Sequence, residues 1–97
     1  MRRRGIRTTA MQDLAAQVQT YLQIYDPLGL GELAPLEQIY GPVVAEIVEQ
    51  LARVHTAEEA AAAIHRVLYL TYGSQAGHVR NYADLGRDLF KLVRQGA

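Results

Sequence analysis

The chain has 97 residues, 49% of them hydrophobic, with a formal net charge of zero and no cysteine. This length makes a single domain that can bury a core of its own. The composition excludes a disulfide framework, a thiolate zinc site and a cysteine nucleophile, and no apolar run approaches the roughly 18 residues of a membrane span. The simplest fit is an intracellular, cytoplasmic protein of bacterial type.

Zero net charge hides a division along the chain. Residues 1–7 carry Arg2, Arg3, Arg4 and Arg7 and no acid, residues 8–65 carry eight acids against Arg53 alone, and residues 66–97 carry five basic residues against Asp84 and Asp88. The start "MRRRGIR" reads as a flexible basic arm over residues 1–8, ahead of a single helical domain over 9–97. It resembles the charged region of a signal peptide, but no hydrophobic segment follows it, so targeting is not expected. Met11 offers an alternative start that would remove the arm. The asymmetry fits an electrostatic partner, and it equally fits basic ends lying near the chain's own acidic middle, within the roughly 10 Å reach of unscreened attraction.

From Thr9 the apolar positions Met11, Leu14, Ala15, Val18, Tyr21, Leu22 and Tyr25 keep a three-four spacing, which predicts an amphipathic helix. Thr9 with Gln12 forms a capping box at its start. The segment "DPLG" at 26–29 predicts a type I turn: Asp accepts backbone hydrogen bonds, Pro presets φ, and Gly closes the turn. Pro27 also turns Asp26 away from helical backbone. Leu28, Leu30 and Leu33 are too apolar for a solvated loop and are expected to plug the corner against the core.

After Pro35 the helical pattern returns with Leu36, Ile39, Tyr40, Val43, Val44, Ile47, Val48, Leu51 and Val54. It runs through Gly41-Pro42, although proline inside a helix costs roughly 3 kcal/mol. Either a short helical turn at 35–40 precedes a main helix starting near Pro42, or one helix kinks there; proline's preference for a first turn favours the former. Thr56 with Glu59 is a second capping box, followed by a helix whose buried face is Ala60, Ala61, Ile64, Val67, Leu68 and Thr71, with Gly73 as C-terminal cap. Its alanines would admit a close neighbour. "SQAGHVR" is a connector, and a last helix from Asn81 or Tyr82 presents Tyr82, Leu85, Leu89 and Leu92/Val93, weakened by Gly86. No strand-like alternation appears. The expected fold is all-α: a small antiparallel bundle of three main helices plus a fourth, C-terminal one.

The helix ending in "YDPLG", the spacer, "YGPVVAEIVEQL" and the capped third helix together resemble the YugE-like family of small all-helical bacterial proteins. The likeness covers roughly residues 14–73 and rests on Tyr25, Asp26, Pro27 and Gly29 at the loop and Tyr40, Pro42, Glu46 and Ile47 at the second helix. Tyr25 stands where that family usually has tryptophan. The resemblance implies a fold without an assigned activity, and by association an immunity-like or accessory role.

No constellation of side chains asks for chemistry. His55, His65 and His78 are ten and thirteen residues apart, which is no metal-ligand spacing. Glu46 and Glu49 read as a solvated face, and Glu58 and Glu59 suit a first helical turn. Asp26 is the one acid placed where aromatics could enclose it, and its turn-capping role explains it. "GLGEL" follows a helix rather than a strand, so it is no phosphate loop. The sequence thus leads to no catalytic, cofactor or metal residue.

Six tyrosines against one phenylalanine and no tryptophan is unusual. Tyr21, Tyr25 and Tyr40 are placed to cluster at the corner, while Tyr69 and Tyr72 are candidates for a contact surface. The expectation is a non-catalytic helical module that binds another protein or itself. The alternative is an accessory nucleic-acid binder using Arg2, Arg3, Arg4 and Arg7 with the basic C-terminal helix. An enzyme would need a pocket at Asp26 and Tyr40.

Overall fold

A computed structural model of this chain describes residues 2–96, with side chains from 13 to 95. The fold is all-α. Helix α1 spans Arg2–Tyr25, α2 Leu36–Leu51, α3 Ala57–Tyr72 and α4 Ala83–Gly96, with two short 3-10 turns, Gly73–Ala76 and Val79–Tyr82, between the last two. Helix α1 packs on α2 and α4, α2 on α3, and α3 on α4, which closes a small antiparallel bundle. Among the described residues there is no strand.

Helix α1 begins at Arg2, ahead of the start predicted at Thr9. Arginine is a good helix former, and extending a helix already nucleated downstream costs far less than starting one. The Thr9–Gln12 box and the side chains of Arg2, Arg3, Arg4 and Arg7 lie outside the described side chains. Further along, Val18 and Leu22 are fully buried, and Leu14, Ala15 and Tyr21 pack on the core beside them, as the three-four spacing predicts.

The predicted corner closes α1 in two steps. Asp26 adopts φ of +43°, and its N–H donates to the Leu22 carbonyl at 2.8 Å, the left-handed ending that satisfies an orphan carbonyl. The Gly29 N–H then donates to the Asp26 carbonyl at 2.9 Å, closing the four-residue turn. Leu28 is buried and Leu30 packs on the core, but Leu33 is 81% exposed and is no part of the plug. It lies in the turn after Leu30, where the Leu33 and Ala34 N–H groups donate to the Leu30 carbonyl at 2.9 and 3.2 Å, and that local turn sets its direction.

Pro42 overturns the favoured reading of the second helix: it lies inside one continuous helix rather than at the start of a second. The ring removes the N–H that would meet the Gln38 carbonyl, but Gln38 is exposed and water can serve that oxygen. Gly41, having no Cβ, also avoids the clash that a residue before proline normally suffers. On both sides of the proline the buried stripe of Ile39, Tyr40, Val43, Val44 and Ile47 continues, and burying it outweighs one missing hydrogen bond.

Helix α3 starts as predicted. Thr56 Oγ1 accepts from the Glu59 N–H at 3.0 Å, while the Glu59 carboxylate reaches one residue further back than a standard box and accepts from the His55 N–H at 2.7 Å. Gly73, at φ of +64°, caps the other end with its N–H on the Tyr69 carbonyl. The start of α4 differs from the prediction: Asn81 and Tyr82 belong to the 3-10 turn, and the α-helix begins at Ala83.

Gly86 does more than weaken α4. A Cβ built on it would stand 2.6–2.7 Å from the N, Cα and Cβ of Ala61. Glycine on one helix and alanine on the other therefore let α3 and α4 approach at backbone contact, with Ile64, Leu68, Leu85 and Leu89 filling the core alongside.

Candidate functional site

The loop corner is held by one tyrosine and one aspartate. Tyr40, fully buried, donates its hydroxyl to Asp26 Oδ1 at 2.6 Å and accepts the Leu28 N–H at 3.0 Å. Asp26 Oδ2 takes the Gly31 N–H at 3.2 Å. Burial first, and the bond to Asp26 second, hold the Tyr40 hydroxyl protonated well above the ordinary tyrosine range. Both Asp26 oxygens are therefore engaged. Leu28 is buried under the turn, and Leu36 and Asp26 crowd Gly31, where an added Cβ would lie 3.0 Å from each. Asp26, Pro27, Gly29 and Tyr40 thus form a filled corner whose polar groups serve the turn; Tyr25 precedes it at the end of α1, and Pro42 stands two residues beyond Tyr40, exposed.

The tyrosines do not all gather there. Tyr25 donates to the Asp88 carboxylate on α4, which raises its pKa from the ordinary value, principally through that hydrogen bond. Asp88 and Asp84 also flank Arg87, with nearest approaches of 3.9 and 3.3 Å. Tyr72, the other contact candidate, is half-buried: it packs on the core and donates its hydroxyl to the Ile39 carbonyl. Tyr82 is buried with its hydroxyl on the Ala76 carbonyl at 2.7 Å, and burial pushes its pKa up to about 12. Tyr69, by contrast, is 53% exposed on α3.

His65 contributes to the same connector. Its Nε2 lies 2.8 Å from the Gly77 carbonyl, so that nitrogen carries the proton, and its ring meets Tyr82 edge-on at 5.2 Å. His78 Nδ1 accepts from the Arg80 N–H at 3.1 Å. Among the described residues no group of three or more His, Cys, Asp or Glu side chains is placed to hold a metal ion. No described helix is long and apolar enough to cross a membrane.

The surface that stands out is the outer side of α3 and its seam with α2. Leu70 is 77% exposed beside Tyr69. Two shallow hollows run along the seam and share Gln50 and Arg66. One adds Glu46, Val67, Leu70 and Thr71, and the other adds Arg53, Val54, Glu59, Ala62 and Ala63. A third crevice, between α3 and the start of α4, is lined by Ala57, Ala61, Val79 and Ala83 together with Glu58, Arg80 and Arg87. Sequence reasoning singled out Tyr69 but missed Leu70, Arg66 and the seam. The helical wheel could have found Leu70, which falls off the Ala60–Ile64–Leu68 face as clearly as Tyr69 does. The seam depends on how two helices pack, which no local pattern reports.

Comparison with family models, with curated proteins and with solved structures found no match to this chain.

Proposed function

We propose that this chain is a small, non-catalytic helical interaction module that binds another protein or itself, working in a bacterial cytoplasm. The observation that carries the reading is the exposure of two neighbouring residues of α3: Leu70, 77% exposed, lines the hollow at the α2–α3 seam, and Tyr69, 53% exposed, follows it around the helix with its ring beside His65. Isolated apolar side chains on a surface are ordinary, but an adjacent pair beside a partly apolar hollow is the pattern of a docking face. The YugE-like resemblance supports the same reading, since its loop residues here serve the architecture. An immunity-like or accessory role follows from that association alone.

A second reading is favoured by the four arginines among the first seven residues. In it the chain is an accessory nucleic-acid binder, held by the arginine-rich segment expected as a flexible arm, which the fold instead makes the first turns of α1, and helped by Arg80, Lys91 and Arg94 near or on α4. Affinity capture from the native lysate separates the two, run at low and about 0.5 M salt, with and without nuclease, on the full chain and on one starting at Met11. Apolar docking survives salt because it is not screened, whereas phosphate contacts are lost steeply. A discrete protein retained throughout supports the interaction module. Capture that needs the arm and disappears with nuclease or salt replaces it with the nucleic-acid reading.

A further inference from the structure

The outward stripe of α3 is arranged to recognise itself. Glu59, Ala62, Ala63, Arg66 and Leu70 recur at the three-four spacing of one helix face, and all but the half-buried Ala63 are exposed. Glu59 and Arg66, on either side of the two alanines, are two turns or roughly 10 Å apart. Leu70 lies one turn beyond Arg66, and at the other end of the face Val54 lies half-buried in the hollow before α3 begins. From one end to the other the order is apolar, acidic, small, basic, apolar.

We propose that this face binds a second copy of the chain, α3 against α3, antiparallel about a two-fold axis between Ala62 and Ala63. This rests on the interaction-module reading and names its partner and surface. An isologous contact requires each feature to meet its complement in the other copy. With the axis there, Glu59 faces the partner's Arg66, and Arg66 faces the partner's Glu59. Leu70 covers the connector beside the partner's Val54, so the most exposed apolar side chain of α3 loses its water. The hollow bearing Glu46 then turns towards the hollow bearing the partner's Arg53. Alanines at the crossing point let the two helices approach closely. A parallel arrangement would instead set Glu59 on the partner's Glu59 and Arg66 on the partner's Arg66, so the charges select the antiparallel one. Glu59 Oε1 already holds the His55 N–H, and its other oxygen is left for the guanidinium.

The test is sedimentation equilibrium of the full chain from micromolar to about 1 mM protein, a range that captures even weak dimers. The wild type is expected to reach twice its monomer mass of 10.8 kDa. Arg66→Glu and Glu59→Arg each place like charges on both sides of the axis, so each should weaken the dimer at least about tenfold. Mixing the two variants should restore association, because each then offers the charge the other needs. Circular dichroism establishes that both variants keep their helices. Should Glu59→Arg unfold through loss of its tie to His55, Ala62→Cys replaces it: the natural chain has no cysteine, so a disulfide-linked dimer under mild oxidation reports this contact.

A wild type that stays at 10.8 kDa up to about 1 mM overturns the proposal, as does a dimer indifferent to both charge reversals and to their mixing. The interaction-module reading fails separately. If the wild type is monomeric but Leu70→Asp abolishes capture of another protein, the reading stands and only the second copy is wrong.

Discussion

Replacing Gly86 by alanine tests the closest contact in the fold. The added Cβ would stand 2.6–2.7 Å from Ala61, against 3.4 Å for the near edge of ordinary contact, a shortfall of about 0.7 Å. Two of the three atoms it meets are backbone N and Cα, which no rotamer change can move. Relief requires α4 to back away from α3, opening the core between Ile64, Leu68, Leu85 and Leu89. Overpacking of this kind costs about 1–3 kcal/mol, and a rigid backbone neighbour puts Gly86 at the upper end. Against this, alanine gains about 1 kcal/mol over glycine in a helix interior. The net expectation is a loss of about 2 kcal/mol, or a fall in Tm of roughly 8–16 °C for a chain of this size. Urea unfolding at constant m reads the difference directly. Adding Ala61→Gly should restore only part of it, since Ala61 N and Cα remain where they were. A Gly86→Ala chain as stable as the wild type, or more so, would refute the close approach and leave only helix propensity at work.

Three further outcomes follow from the hydrogen-bond geometry. Tyr40→Phe deprives the Leu28 N–H of its acceptor and Asp26 of a donor, and should cost about 1–3 kcal/mol in urea unfolding, with an unchanged midpoint contradicting the corner as drawn. Thr56→Ala removes the acceptor for the Glu59 N–H and should cost about 1 kcal/mol, detectable as a lowered Tm. Stability should also fall as pH rises from 10 towards 12. Burial raises the Tyr82 pKa from 10.0 to about 12, so its contribution is complete below pH 10 and lost through that window, in which the unfolded chain has released a proton the folded one keeps. Two units correspond to roughly 3 kcal/mol, and Tyr40 and Tyr25 shift in the same direction, so Tyr82→Phe should reduce the loss without abolishing it. Urea midpoints across that range, with phenolate absorbance as a parallel readout, would show it.

The helices were legible because their signals are local. The stripe Val18–Leu22 in α1, the Thr56–Glu59 start and the Gly73 cap each need only a few neighbouring residues to be read, and each is in place. The misreadings share a different cause. Pro42 carries a local cost that is visible in the sequence, while the compensation, a buried stripe continuing from Ile39 to Ile47, is a tertiary quantity. Leu33 is as apolar as Leu28, yet the direction of a loop side chain depends on the turn geometry around it, and one is 81% exposed while the other is 5%. Gly86 looked like a weak point because propensity sees only its own helix, whereas its purpose lies on α3.

The tyrosine-rich composition now has a physical account that bears on function. Four of the six tyrosines use their hydroxyls as ties across the fold: Tyr25 to Asp88, Tyr40 to Asp26, Tyr72 to the Ile39 carbonyl and Tyr82 to the Ala76 carbonyl. Each joins elements or loops that the backbone ladders of the helices cannot join, because a helix satisfies its own interior carbonyls and N–H groups. Phenylalanine would fill the same space without the tie, which gives a physical reason for tyrosine at these four positions. This also narrows the surface available for binding. Tyr72 and Tyr25 are committed to internal partners, and Tyr69 remains with Leu70 on the outer side of α3. The docking face proposed above therefore centres on α3, where Leu70 lines the hollow at the seam with α2 and the exposed Glu59 and Arg66 carry the charges that would orient a partner.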